Sequence, residues 1–292
     1  MTQSGVTVSE VAHRLGVAPA TLRTWDRRYG LGPSSHEAGE HRRYTEEDLA
    51  RIAVMRRLVV SGVPPQQAAQ LAKTAQVSAK EPLPLPEFQD REDVVPAIVR
   101  SLDGFDSGFV EALIRREIVA NGIIQTWNEI LVPALVLIGR RWEESGSGIE
   151  VEHLFSEIVK RILRDCANEI ETPRNPKPVL IASIGEEHHC LALHALAAAL
   201  AEANISTHFL GARTPVEAVA EMMRKTRPPV IFLWAQLHKN ADYSVLTALP
   251  PLRPAPRLIL GGPGWQAERV SGATVVDNLF EACELVGSTI GK

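Results

Sequence analysis

The hydrophobic period of this chain changes once, near residue 177, and that change limits the fold more than any other feature. Before it, apolar residues recur at helical spacing: Ile114, Ile118 and residues 123–127, then Ile130, Leu131, Ala134, Leu135 and Ile138, then Leu154, Ile158, Ile162 and Leu163. Such spacing lines one face of a helix, and no alternating pattern interrupts it, so residues 87–171 are expected to form a four-helix bundle. After it, residues 179–184 are a continuous apolar run, as in a strand buried on both faces. Further strands are expected over 205–210, 230–235, 257–260 and 274–276. Helices are expected between them over 192–203, 216–226 and near 243–249, with a last one over 279–289. This alternation means an α/β Rossmann-like (flavodoxin-like) domain with a parallel sheet over 177–292. Ligands of such sheets bind outside the carboxyl ends of the strands, at the topological switch point.

Prolines separate the blocks. Residues 80–86 and 172–178 carry prolines at close intervals, which fix φ and hold their predecessors extended, so both read as semi-rigid linkers. The domains are thus expected at 1–76, 87–171 and 177–292, with 77–86 as linker. The first block reads as all-α. A helix over 8–15 stops at Gly16, and Pro19 opens a second over 20–29 that ends at Gly30, Gly32 and Pro33. Thr45 with Asp48 three residues on resembles a capping box that opens a helix over 46–61, and another helix covers 65–73.

Net charge is −4, which excludes a polybasic protein, but residues 1–73 hold ten Lys/Arg against seven Asp/Glu. A basic head on an acidic body suits nucleic-acid contact by the head alone. Three scattered cysteines give no disulfide framework. No signal pattern or apolar run of membrane-spanning length stands out, so a cytoplasmic protein without membrane contact is expected.

Two short helices around a Gly-containing turn are the helix-turn-helix pattern, whose second helix lies in the major groove. That helix offers Thr21, Arg23, Thr24, Arg27 and Arg28. Arginine suits phosphates and guanine edges, and threonine suits phosphates or a thymine methyl. Arg42, Arg43 and Tyr44, in a short basic segment beyond it, would grip phosphates as a wing does. Taken alone, such arginines are an ordinary solvated helix face. Residues 8–12, 21–31 and 42–49 together, however, resemble the MerR family of transcriptional regulators over about 70 residues. The resemblance implies a winged helix-turn-helix that binds pseudo-palindromic double-stranded promoter DNA as a dimer, with Leu22 and Trp25 in its core.

Beyond the head, Trp142 precedes Glu152 and His153 by a fixed interval across a Gly/Ser loop, and Gly185-Glu-Glu-His-His-Cys190 ends the first strand of the α/β domain. The first set also reads as a core Trp plus an acidic residue favoured by a helix dipole, and the second as a polar loop. A His at that strand end, oriented by a carboxylate two residues away, can offer a neutral nitrogen to a metal. With the head, the whole chain resembles the CarH/LitR class of cobalamin-dependent photoreceptor repressors. The resemblance implies that Trp142, Glu152 and His153 pack over the upper face of adenosylcobalamin. It matches Glu186 and His188 to the first half of a Glu/Asp-x-His-x-x-Gly motif in which the His is the axial metal ligand, and Gly261 and Gly262 to a Gly-Gly segment near the nucleotide tail. It further implies a regulator rather than an enzyme: a repressor whose homo-oligomers, dimer or tetramer, hold DNA in the dark and release it when light breaks the cobalt–carbon bond.

The chain departs from that pattern in three places. Leu191 stands at the motif's closing glycine. Trp234-Ala-Gln236 replaces a Ser-x-Leu element that lies along the buried tail. Glu143 follows Trp142 where some members have histidine. The departures keep open a regulator of the same architecture that has lost or replaced cobalamin and senses another ligand or a protein partner. A mutase or methyltransferase subunit is the third possibility, against which the DNA-reading head and the lack of a substrate barrel both argue.

Overall fold

The computed structural model describes residues 6–34, 43–75, 85, 86, 88 and 91–291. It divides into two compact units, one of Met1–Arg116 with Val132–Phe155 and one of Glu117–Leu131 with Ser156–Lys292.

In the first unit, β1 (Val6–Thr7) leads into α1 (Val8–Leu15), α2 (Pro19–Tyr29), β2 (Arg43–Tyr44), α3 (Glu46–Val60) and α4 (Pro65–Thr74). The punctuation works as the residues dictate. Gly16 and Gly30 end α1 and α2 in the left-handed region (φ 59° and 63°), where a side chain is strained, and Pro19 opens α2. Thr45 and Asp48 form a reciprocal capping box. Val11, Leu22, Trp25, Ile52, Met55 and Leu58 are buried. The head is not all-α: β1 and β2 pair antiparallel, Val6 with Tyr44 and Thr7 with Arg43. Two residues per strand are too few to show a period of two, so composition alone reads them as loop. Most of the expected 77–86 linker lies outside the described residues. Beyond it, α5 (Val94–Asp103) ties back to the head, because Arg100 donates to the Ser61 carbonyl at 2.8 Å and Arg57 pairs with Asp106.

The helical region continues through α6 (Ser107–Thr126), a π-helical turn (Trp127–Leu131), α7 (Val132–Ser145) and α8 (Ile149–Ala167). Ser107–Ser145 is, among the described residues, one run long and apolar enough by composition to cross a membrane, contrary to the sequence expectation. That run is broken at Gly122, whose φ of 77° and ψ of 170° are not helical. The amide that follows the break, of Ile123, donates to the Glu202 carboxylate at 3.0 Å.

The second unit holds five parallel strands in the order β4 (Thr207–Thr214), β3 (Val179–Ile184), β5 (Val230–Trp234), β6 (Arg257–Gly261) and β7 (Thr274–Val276). This is the flavodoxin-like order, whose switch point lies between β3 and β5. Strand parity divides the core. Val179, Ile181, Phe232 and Ile259 face α9 (Leu191–Glu202) and α12 (Leu279–Ile290). Leu180, Ala182, Ile231, Leu233 and Leu260 face α10 (Val216–Thr226) and α11 (Val245–Ala248). The second proline-rich segment is clasped rather than a free linker: buried Asn175 donates to the Lys177 and Ser206 carbonyls and accepts from the Ser206 amide at 2.8 Å.

Candidate ligand site and nucleic-acid interface

On α2, burial of Leu22 and Trp25 turns the opposite face outward, and Arg23, Arg27 and Arg28 are exposed on it. Thr21 and Thr24 are half-buried, and the Thr24 hydroxyl donates back to the Ala20 carbonyl at 3.0 Å. Arg43 is exposed on β2, and Arg42 lies outside the described residues. Tyr44 is corrected: it is only 1% exposed, opposite Val6 in the ladder, so its ring is core and does not reach a phosphate.

In the helical region Trp142 sits in the last turn of α7, 43% exposed, so it is not a core residue. The Gly146 amide donates to the Trp142 carbonyl at 2.8 Å, and Gly146 and Gly148 have positive φ, which turns the chain into α8. Glu152, half-buried, and His153, exposed, lie in the first turns of α8. Val136, Leu137 and Ile149 are exposed as well.

At the carboxyl end of β3, the expected Glu186–His188 pair is not formed. Glu186 points outward and pairs with Arg213 at 2.7 Å, and His188 is exposed. The carboxylate–imidazole couple is instead Glu187–His189, one residue on. Glu187 is fully buried (0% exposed). Its Oε1 accepts from the His189 amide at 2.9 Å and stands 2.5 Å from His189 Nδ1. Its Oε2 accepts from the amides of Gln236 and Leu237 at 2.8 and 3.0 Å and from the Asn240 side chain at 3.0 Å. The carboxylate thereby bridges the ends of β3 and β5, at the switch point. Burial alone would raise its pKa, but the hydrogen bonds from Asn240, His189 and Leu237 outweigh burial and hold it at about 2. An ionised carboxylate only accepts, so Nδ1 carries the proton of that bond, and Nε2 is the nitrogen left to take a metal, on a side chain 58% exposed. With the couple moved by one residue, the closing position of the motif becomes Ala192 instead of Leu191, a methyl where a bulkier side chain was expected.

These donors fit the metal of a corrinoid, since a neutral imidazole with its other nitrogen anchored is a common metal ligand. The space beside them does not fit a buried nucleotide tail. Ser183, Trp234 and Gly261 are register partners across β3, β5 and β6, so they share the α9/α12 face at the carboxyl end of the sheet. Trp234 packs into that layer. A Cβ built at Gly262 would lie 3.2 Å from its Cδ2, and one at Gly261 would lie 2.9 Å from Phe232 Cε1. The Gly-Gly segment is therefore packed against the Phe232 ring at Gly261 and against the Ala235 backbone carbonyl and the Trp234 ring at Gly262.

Sequence reasoning favoured His188 over its neighbour His189 and missed Glu187 and Asn240. The available signal was strand parity: Gly185, with φ of 60°, turns the chain after β3, so that Glu186 is exposed and Glu187 buried.

Residues 6–75 match the family model described as MerR HTH family regulatory protein, and residues 177–278 and 96–165 match two models described as B12 binding domain. The HTH-type transcriptional repressor CarH of Myxococcus xanthus is 27% identical over 245 residues, 80% of this chain and 80% of its own. The HTH-type transcriptional repressor CarA of the same organism is 26% identical over 263 residues, 88% of this chain and 86% of its own. The solved Methanosarcina barkeri monomethylamine corrinoid protein superposes with a TM-score of 0.54 at 14% identity, covering 68% of this chain and 98% of its own, which shows a shared fold. The chain thus joins a MerR-type DNA-binding domain to B12-binding domains and is homologous to both repressors over most of its length.

Proposed function

We propose that this MerR-type regulator represses transcription from promoter DNA that it grips through α2, and that a corrinoid, with adenosylcobalamin as the natural form, controls its oligomeric state and DNA binding in response to light. The observation that carries the reading is the Glu187–His189 couple, a metal-ready imidazole at the switch point of a segment homologous to B12-binding domains. His189 would hold the metal through Nε2, and Glu187 would fix the tautomer and the ring. Gly261 and Gly262 keep the β6 end close to the sheet. Trp142, Glu152 and His153 are assigned to the same ligand on the resemblance alone. A bound alkylcobalamin supplies a cobalt–carbon bond that visible light breaks. The rest is a ligand biasing one of two assemblies, dimer or tetramer, in the cytoplasm where its DNA lies. The relatives are regulators by name, and this chain is read as a regulator rather than an enzyme.

The test is the full chain loaded in the dark with adenosylcobalamin and followed by visible spectrum, gel filtration and operator binding before and after illumination. Retained corrinoid absorption, with a light-dependent change in size and loss of DNA, is the expected result; no retained absorption overturns it. His189→Ala should remove the imidazole-ligated spectrum while His188→Ala keeps it. Arg23→Ala should weaken operator binding and lower its salt dependence by about one phosphate contact. A second reading, in which another ligand or a protein partner replaces cobalamin, is favoured by the rings and backbone packed against Gly261 and Gly262.

A further inference from the structure

We infer that Trp234 is a specificity-determining residue that shuts the nucleotide tail of a corrinoid out of the sheet domain, so that this chain takes the corrin macrocycle with its tail left outside. The inference rests on the corrinoid reading above and adds which corrinoid the site accepts.

When a protein imidazole takes the lower position of a cobalamin, the base at the end of the nucleotide tail is displaced, and the tail must be housed or left in solvent. The housing nearest His189 is the layer between the sheet and helices α9 and α12. Its mouth is the row Ser183, Trp234 and Gly261, set side by side by the parallel register. The two outer members are small. Ser183 is fully buried and its hydroxyl donates to the His189 carbonyl at 3.4 Å, directly under the loop that carries the imidazole. Small residues flanking one position leave a groove, and in this chain the indole fills it. The ring packs against the cluster that contains Leu193, Leu196 and Phe232, with Cys190 and Phe209 in the same layer. At the far side it abuts Gly262, where even an added methyl would be in tight contact with it. Deeper still, the Phe209 ring stacks on His194, centroids 4.4 Å apart, so the layer below the mouth is closed by aromatic groups too.

The indole Nε1–H is buried with no hydrogen-bond partner among the described residues, as is that of Trp265 in the opposite layer. A buried donor left unpaired is costly, and tryptophan in a core normally finds an acceptor. The ring is therefore held by the space it fills, not by its polar edge. Interiors are close-packed, so a ring in the groove and a nucleotide in the groove are mutually exclusive.

The experiment is a titration of the full-length protein with aquocobalamin and with diaquocobinamide, which lacks the nucleotide, read by the change in visible absorption on imidazole ligation. The wild type should bind cobinamide about tenfold or more tighter than cobalamin; displacing the benzimidazole adds to that ratio in wild type and variants alike, so its change on substitution of Trp234 is the diagnostic. Trp234→Ser should raise cobalamin affinity and collapse that ratio, with cobinamide affinity nearly unchanged. Trp234→Leu, which keeps the layer apolar, is the companion should the serine variant fail to fold, and it should shift the ratio in the same direction. Equal or tighter binding of cobalamin by the wild type overturns the inference, as does a ratio that neither substitution moves. If neither corrinoid ligates the wild type or the variants, the corrinoid reading itself falls and takes this inference with it; if only the ratio fails, the reading stands and the inference alone is lost.

Discussion

Two buried carboxylates, Asp48 in the head and Glu187 in the sheet domain, are solved by the fold in opposite ways. Asp48 accepts from the Thr45 amide three residues away, at 3.0 Å, and from the amide and hydroxyl of Ser34, both at 3.1 Å. Its partners are a helix cap and the adjoining loop. Glu187 accepts from a neighbour, His189, but also from Gln236, Leu237 and Asn240, which lie 49, 50 and 53 residues along the chain. Both acids are held below their ordinary pKa because hydrogen bonds outweigh the burial that would raise it. The difference lies in what each bond set organises. The first closes one turn of helix and a local loop. The second fastens two strand ends together and leaves an imidazole nitrogen pointing away from the joint.

That contrast is broken or sharpened most severely at Glu187. Glu187→Ala strands the amides of His189, Gln236 and Leu237 and the Asn240 side chain around a buried position, and should cost about 3–5 kcal/mol in chemical denaturation. Hydrogen exchange on the full chain should place the damage at the Gln236 and Leu237 amides, far from the substitution in sequence. Glu187→Gln keeps the shape and one acceptor, and should lose about half as much. Wild-type protection at residues 236 and 237 in the alanine variant would show that the bridge between strand ends is not what holds that loop.

The same contrast explains what the chain disclosed before its structure was known. The capping box at Thr45 and Asp48, the glycine stops at Gly16 and Gly30 and the continuous run at Val179–Ile184 all depend on neighbours in sequence, and each formed as read. The Glu-Glu-His-His stretch could not be settled that way. A carboxylate two residues before a histidine occurs there twice, as Glu186–His188 and Glu187–His189, with equal spacing. Which pair meets depends on how Gly185 turns the chain, a signal present in the sequence, and on donors from beyond residue 235, which leave no local mark. Tyr44 was misread for a related reason: its partner Val6 lies across a ladder too short to show a period. Trp234, by contrast, stood out as foreign to its position before its packing was seen.

A third buried group tests whether burial without such a bond set acts in the other direction. His194, 6% exposed on α9, has its pKa lowered to about 4, first by burial, then by the charges of Lys160 and Arg164 on α8, with Glu157 opposing them. The Phe209 ring faces it from β4. As pH falls through the model-peptide value of 6.5, the unfolded chain binds a proton that the folded one refuses until about pH 4. Stability present above that upper value is therefore lost across the window, by about 3 kcal/mol in full. His194→Phe should flatten the wild-type slope between those two pH values in parallel denaturation series. An identical slope in both proteins would place the acid-sensitive group elsewhere.

The smallest effect belongs to Asp48. Asp48→Ala removes the Asp48 side-chain half of the capping box and the acceptor of Ser34, yet the Thr45 hydroxyl still accepts from the residue 48 amide, because residue 48 contributes only its backbone to that bond. The released donors also lie beside partly exposed residues, where water can replace an acceptor that is denied to Gln236 and Leu237. The expected loss is about 1–2 kcal/mol, at the level of a helix cap. Exchange should quicken at the Ser34 and Thr45 amides and stay unchanged at 236 and 237. A loss as large as that of Glu187→Ala would mean that locally satisfied and remotely satisfied carboxylates carry equal weight in this chain, and the distinction drawn between the two sites would reduce to their positions in the sequence.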